Sequence, residues 1–351
     1  MEMPSWTVLL GFLFGATIGS FLNVVIYRMP RAISLSNPSK SFCPACKHPL
    51  GVLDLFPILS WAMAGGKCRY CKVPIPFRYQ SVEILNGTIW AGIWYQYLVA
   101  GWEPGKAVAY MLAAATLVAI IFIDWELYII PDQINAFLMV VGFGYNVYLV
   151  QTGSPAAYTW GIPSSVAGAL TGVLVLWGIT FLGRAVFGKD AMGHGDIKMA
   201  RGIGAILFPA MAVVSFGLAV VLGAVLGIVQ ILVRRNEPEP VGEEDGEPYV
   251  PESYGSLFKS LVGYVLCLDV VGLFFPKFYM AYFGEDPFAP VGLEEDVEVE
   301  RTMIPFGPYL ALGAIVATVF EGQLRGGIDA YVRFATGNPA VLEQGQGFLR
   351  L

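Results

Sequence analysis

Two aspartates stand where long apolar runs meet polar sequence. Asp124 closes the run ATLVAIIFI, and Asp196 lies in KDAMGHGDIKMARG between two further apolar runs. An ionisable side chain at membrane depth is expensive, so such a residue is read first as functional. A single one could also be a buried, hydrogen-bonded structural group; two, each with its own flanking pattern, favour chemistry. Carboxylates a few ångströms apart cannot both ionise and so share one proton. Such a pair activates water as a base and protonates a leaving amine as an acid, which is peptide-bond hydrolysis of the aspartic type.

Four cysteines form the second constellation, Cys43-Pro-Ala-Cys46 and Cys68-Arg-Tyr-Cys71. Two such knuckles at this separation fit a structural, tetrahedral zinc site with four thiolates. Lys47, Lys67, Arg69 and Lys72 would offset its extra negative charge. A disulfide pair and a redox CxxC are the alternatives. A reducing cytoplasm disfavours the first, and matched pairs of motifs disfavour the second. His48 is superfluous to a four-Cys site and reads as solvated. Glu83, at the entry to an apolar run, is either a functional acid or a charge that stabilises a helix N-terminus.

These residues need a frame. The chain is 56% hydrophobic and 14% charged, against about 25% charge in a soluble domain. Several apolar runs reach the roughly 20 residues that span a bilayer, and long continuous runs indicate helices rather than barrel strands. The expected fold is an all-α polytopic membrane protein with about eight transmembrane helices and a small cytoplasmic zinc-binding domain between the first two spans. The net charge of −6 misleads, because about half the acids lie in 237–252 and 285–300. Nothing points to nucleic acid.

The expected divisions are a first span (1–27), a four-Cys domain (28–80), a membrane core (81–233), an acidic insertion with an interfacial apolar segment (234–303), and a last span with a tail (304–351). MEMPSW lacks a basic n-region and no small-residue cleavage site follows, so the first span is read as retained. Its Gly11, Gly15 and Gly19 recur at the spacing that lets helices pack closely. Residues 28–80 carry eight Lys or Arg against Asp54 alone, which places that loop in the cytoplasm. Counting spans from there puts Asp124 and Asp196 at the same cytoplasmic edge. Asp132 reads as the cap of the next helix. Lys198 either tunes the aspartates or snorkels to the interface. His194 reads as incidental, and Cys267 as core. Gly193 and Gly195 are expected to take positive φ and to allow close approach. The apolar stretch 203–233, broken by Pro209 and ended by Arg234-Arg235, is expected to double back as a tight hairpin, since both its ends should face the cytoplasm. Residues 236–256 read as a disordered linker, and 257–283 as interfacial or re-entrant.

The motifs together resemble the prepilin peptidases, the GxGD membrane aspartyl proteases that process type IV prepilins and type II secretion pseudopilins. The resemblance rests on Gly19–Arg28, the paired CxxC motifs, Arg78-Tyr79 with Glu83, Ile123-Asp124 through Ile130-Pro131-Asp132, Gly193-His194-Gly195-Asp196 with Lys198, and Ile304–Pro308. It covers about residues 7–233 and 303–320; the chain departs from the pattern by the insertion before Ile304. The resemblance implies Asp124 and Asp196 as the catalytic pair, with Gly193, Gly195 and Lys198 in support. It implies cleavage after the last glycine of a basic cytosolic leader, and N-methylation of the new N-terminus with S-adenosylmethionine near Glu83. It also implies the bacterial inner membrane, and contact with pilus or secretion assembly machinery. No Gly-rich methyltransferase loop is visible. Two rival readings use the same aspartates: a GxGD protease with other substrates, such as signal-peptide remnants, and a transporter whose aspartates relay protons. The N-terminal signature and cysteine knuckles oppose the first; the lack of inverted repeats opposes the second.

Overall fold

The structure is a computed structural model that describes residues 3–38, 40–188, 192–234, 253–290 and 305–336. Of the linker read over 236–256, residues 236–252 lie outside the described residues, while Tyr254–Ser256 are helical and correct that reading. Most of the second acidic run, Ile304 and the end of the tail also lie outside the described residues. The described chain is mostly helix, as the apolar runs require.

A short turn, Ser5–Thr7, leads into α1 (Val8–Arg28). The polar segment that follows contains a 3-10 turn Val52–Asp54 and the short α2 (Leu59–Met63). Next comes α3 (Arg78–Trp94), prolonged by a π-helical turn Tyr95–Val99. The glycine stripe of α1 explains the pairing of these two helices. A Cβ added at Gly11 would meet Trp94 Cβ at 2.7 Å, at Gly15 Trp90 Cβ at 2.6 Å, and at Gly19 Glu83 Cα at 2.8 Å. The helices therefore run antiparallel with backbones nearly touching. Asn86 Nδ2 donates to Gly15 O across that seam at 2.7 Å, a bond worth about 0.6 kcal/mol among membrane helices.

The core continues with α4 (Pro104–Leu127), α5 (Asp132–Gln151), a two-stranded ribbon β1 (Tyr158–Thr159) and β2 (Ile162–Pro163), and α6 (Ser164–Phe187). Then comes α7 (His194–Arg234), which has a break inside it: Phe208 takes φ 63°, ψ 171° directly before Pro209. The contacts on either side show the chain doubling back. Tyr145, near the far end of α5, stacks on Phe208 at 5.9 Å. Beyond the break, Ser215 and Ala219 lie against Gly313, and Gly223 against Tyr309 and Phe306. Those last residues belong to the start of α11 (Gly307–Val319), beside Asp124. A straight helix rising 1.5 Å per residue would carry Ala219 about 34 Å from Asp196. The hairpin read from Pro209 and the charges is therefore present.

Between them lie α8 (Tyr254–Val265), α9 (Leu268–Gly272) and α10 (Pro276–Phe283), each too short to cross a bilayer. Last comes α12 (Glu321–Thr336), an amphipathic helix. Five described helices are long and apolar enough to cross a membrane, so the chain is multi-pass. The expected count of about eight is reached only by adding α3, the separate arms of α7 and the short α11. Lipid-facing exposure is plain on α1 (Leu9, Leu13, Phe14, Phe21) and on the returning arm of α7 (Val220, Val221, Val225, Ile228).

Candidate active site

Asp124 occupies the last turn of α4, not a position beyond it, because the helix continues to Leu127 before Tyr128 turns left-handed. Asp196 lies in the first turn of α7. The α7 hairpin and α11 bring these ends together: both aspartates line one cavity of about 1130 Å³ and are electrostatic neighbours. Asp124 is 5% exposed and accepts the Gly307 N–H; Asp196 accepts the Gly193 N–H. A buried carboxylate that keeps hydrogen-bond donors while facing a second carboxylate is an acid–base pair in waiting.

The supporting residues differ from expectation. Neither Gly193 nor Gly195 has positive φ. Gly195 does permit the expected close approach, since its Cβ would meet Ile130 Cβ at 3.3 Å. Lys198 neither snorkels nor reaches the aspartate pair. It is 3% exposed, and its ammonium donates to both Asp132 oxygens at 2.9 Å and lies 2.9 Å from Tyr279 Oη. Asp132 is thereby corrected as well: its side chain makes no cap bond and also receives the Tyr279 hydroxyl. His194 makes a structural contact, its Nδ1 lying 2.9 Å from Tyr264 Oη. Cys267 is half-buried rather than core.

A second cavity of about 410 Å³ lies under the cysteine segment, lined by Asn23, Tyr27 and Arg28 of α1, by Tyr79, Gln80 and Glu83 of α3, and by Trp61, Cys43, Cys68 and Tyr70. Glu83 lies beyond the first turn of α3, so the dipole reading fails. Its Oε2 accepts the Ile58 N–H at 2.8 Å. Asn23 Oδ1 and Gln80 Oε1 are buried with no partner among the described residues. Arg28 closes the α1 end, donating to the carbonyls of Ser34, Leu35, Pro38 and Lys40 at 2.8–3.3 Å. The residues directly after it, Met29, Pro30 and Ala32–Leu35, line the aspartate cavity. A two-pronged Arg78–Glu126 ion pair ties α3 to α4.

The four cysteines converge, their sulfurs within 4.8 Å of one another, and the cluster could hold a metal ion. The two knuckles are built alike. Isolated bridges pair Phe42 with Pro49 and Lys67 with Pro74. Lys47 and Lys72, four residues after the first cysteine of each knuckle, take φ 58° and 62°. The Cys68 thiol is pulled down to about 7, chiefly by the Cys71 N–H. The Val73 N–H pulls Cys71 down, but burial and the neighbouring thiols outweigh it and push the group up to about 11.

Comparison with known proteins agrees with this division. Residues 13–97 match the bacterial peptidase A24 N-terminal domain, and residues 111–228 the type IV leader peptidase family. The chain is 34% identical over 260 residues to the prepilin leader peptidase/N-methyltransferase of Aeromonas hydrophila, covering 66% of this chain and 84% of that protein. It is 31% identical over 328 residues to the protein of the same name from Myxococcus xanthus, covering 89% of each. No solved structure matches the chain.

Proposed function

The chain belongs to the type IV leader peptidase family, and from that premise we propose that Asp124 and Asp196 are its catalytic pair. Its activities are leader-peptide cleavage and N-methylation. The observation that carries the assignment is the single cavity lined by two neighbouring carboxylates, Asp124 buried and Asp196 half-buried, each with a backbone N–H beside it. With one proton shared, the ionised carboxylate takes a proton from water as its oxygen attacks the scissile carbonyl. The other carboxyl protonates the carbonyl oxygen, giving a gem-diol. Collapse of that diol breaks the C–N bond, and a proton passes to the departing amine.

The substrate is a prepilin or pseudopilin, and the site opens at the cytoplasmic face of a bacterial inner membrane. The basic loop 28–80 supports that side, and both cavities are lined by the α1 end that leads into it. The four cysteines hold zinc. Thiolates about 2.3 Å from a tetrahedral ion stand roughly 3.8 Å apart, and Cys43 Sγ lies 4.0 Å from Cys71 Sγ.

Methyl transfer belongs to the smaller cavity. The unpartnered Asn23 and Gln80 oxygens, the aromatic walls and the Glu83 carboxylate fit the amine and the cationic centre of S-adenosylmethionine. Bound there, that cofactor supplies an electrophilic methyl group. Glu83 takes the proton that the substrate amine loses.

The test is incubation of the detergent-purified protein with a prepilin-like peptide, with and without S-adenosylmethionine, read by mass. Cleavage after the leader glycine and the mass gain of a methyl group support the reading. Undiminished cleavage by Asp196→Asn refutes the pair.

A further inference from the structure

The segment Tyr254–Ala289 lies within the acidic stretch 234–303, and it is wired into the first turns of α7. His194, Lys198 and Arg201 fall at i, i+4 and i+7, on one face of that helix. Each is held from the insertion. Tyr264 Oη is 2.9 Å from His194 Nδ1. Tyr279 Oη is 2.9 Å from Lys198 Nζ. Arg201 donates to Tyr264 O and to Asp269 Oδ1, both at 2.8 Å. The Lys198 ammonium also lies 5.6 Å from the ring centres of Tyr264, Tyr279 and Phe283, an aromatic cage supplied wholly by the insertion.

Two further bonds carry the clamp to the start of α5. Tyr279 donates to Asp132, and Gln133 Nε2 donates to Pro287 O at 2.7 Å. Asp196 lies about 200° around α7 from His194 at 3.6 residues per turn, so the clamped face is roughly opposite the face that carries the carboxylate.

Charge shows that the insertion is no loose appendage. Arg201 is 1% exposed, and its acid, Asp269, is 2% exposed. A buried cation stripped of its partner is strongly destabilising, and the insertion supplies that partner.

We propose that this segment is a positioning element for Asp196. It fixes the rotation and height of the first two turns of α7 against α5, with Tyr279 and Asp269 as its key positioning residues. The proposal rests on the assignment of Asp196 to the catalytic pair.

The test uses the full-length protein carrying Tyr279→Phe or Asp269→Asn. Cleavage of a prepilin-like peptide is resolved into kcat and KM, and methyl transfer to an already cut peptide is measured beside it. A reacting group displaced by up to an ångström costs up to about 100-fold, so kcat should fall about 10- to 100-fold with KM and methyl transfer unchanged. Tyr279→Phe removes one hydroxyl and keeps the ring, so it remains informative if Asp269→Asn unfolds. Unchanged kcat in Tyr279→Phe overturns the proposal. So does a rise in KM alone, which would make the segment a binding wall, and so does an equal loss of both activities, which would be general unfolding. Asp196→Asn in the same assay separates the two levels: cleavage retained there overturns the catalytic pair itself.

Discussion

Gly307 offers the sharpest test of the aspartate geometry. Its N–H binds Asp124, and a Cβ added to it would fall inside the contact sphere of Asp124 Oδ2, 3.1 Å from Cγ of that residue and 2.9 Å from Ile130 Cδ1. Carbon pairs settle at about 3.5–4.0 Å, so the carboxylate must retreat by at least about half an ångström, and by more at Oδ2. The retreating group is the end of a side chain, not backbone, so α11 need not move. Gly307→Ala should therefore fold with a near-normal melting temperature and lose the alignment of Asp124 with Asp196. A misplacement near 1 Å costs on the order of 100-fold, or about 2.7 kcal/mol in the barrier. The assay is single-turnover cleavage of a prepilin-like peptide in detergent, with methyl transfer to a pre-cut peptide as internal control. Cleavage within a few-fold of wild type would refute the claim that Gly307 sets the position of Asp124. Loss of methyl transfer as well would show that the helix, not the carboxylate, had moved.

Other outcomes follow from the same geometry. Asp124→Asn and Asp196→Asn should each abolish cleavage while the protein still inserts and still methylates a cut peptide; substantial residual cleavage in either variant counts against the pair. Treatment with a metal chelator, or Cys68→Ser, should impair methyl transfer before cleavage, because Cys43 and Cys68 line the smaller cavity and not the larger; metal content and the two activities report this, and equal loss of both would contradict it. Arg78 and Glu126 are partly exposed, so a double-mutant cycle on thermal stability should give a coupling of about 0.5–1 kcal/mol, and a coupling several-fold larger would mean that the pair is far better shielded.

What the sequence disclosed and what it hid divide along sequence separation. Apolar runs, knuckles and aspartates are local patterns, and helices follow them closely: α1 fills the first apolar run and stops at Arg28, where the polar segment begins. The reversal in α7 could be argued from Pro209 and the sign of the flanking charges, though the strained residue, Phe208, could not. Contacts across long separations carry no local signature. The partner of Lys198 is Asp132, and the partner of Arg201 is Asp269, 68 residues away. Neither pairing shows in a chain read without its fold, so residues 257–283 read only as interfacial or re-entrant. Glu83 was ambiguous for the same reason, because the N–H it accepts belongs to Ile58 in a loop with no recognisable pattern.

Arg28 faces one cavity, and the residues directly after it face the other. On the proposed assignment of one reaction to each cavity, the two reactions are neighbours along a few links of backbone. A substrate anchored in the bilayer by its own apolar helix cannot leave after the first cut; it drifts only in the plane. The second reaction then sees its amine at an effective concentration fixed by that tether rather than by the abundance of cut chains in the membrane. Such a layout behaves as a relay: the freshly exposed terminus passes from one chamber to the next before a competing chain arrives, and unmethylated product stays scarce even when substrate is plentiful.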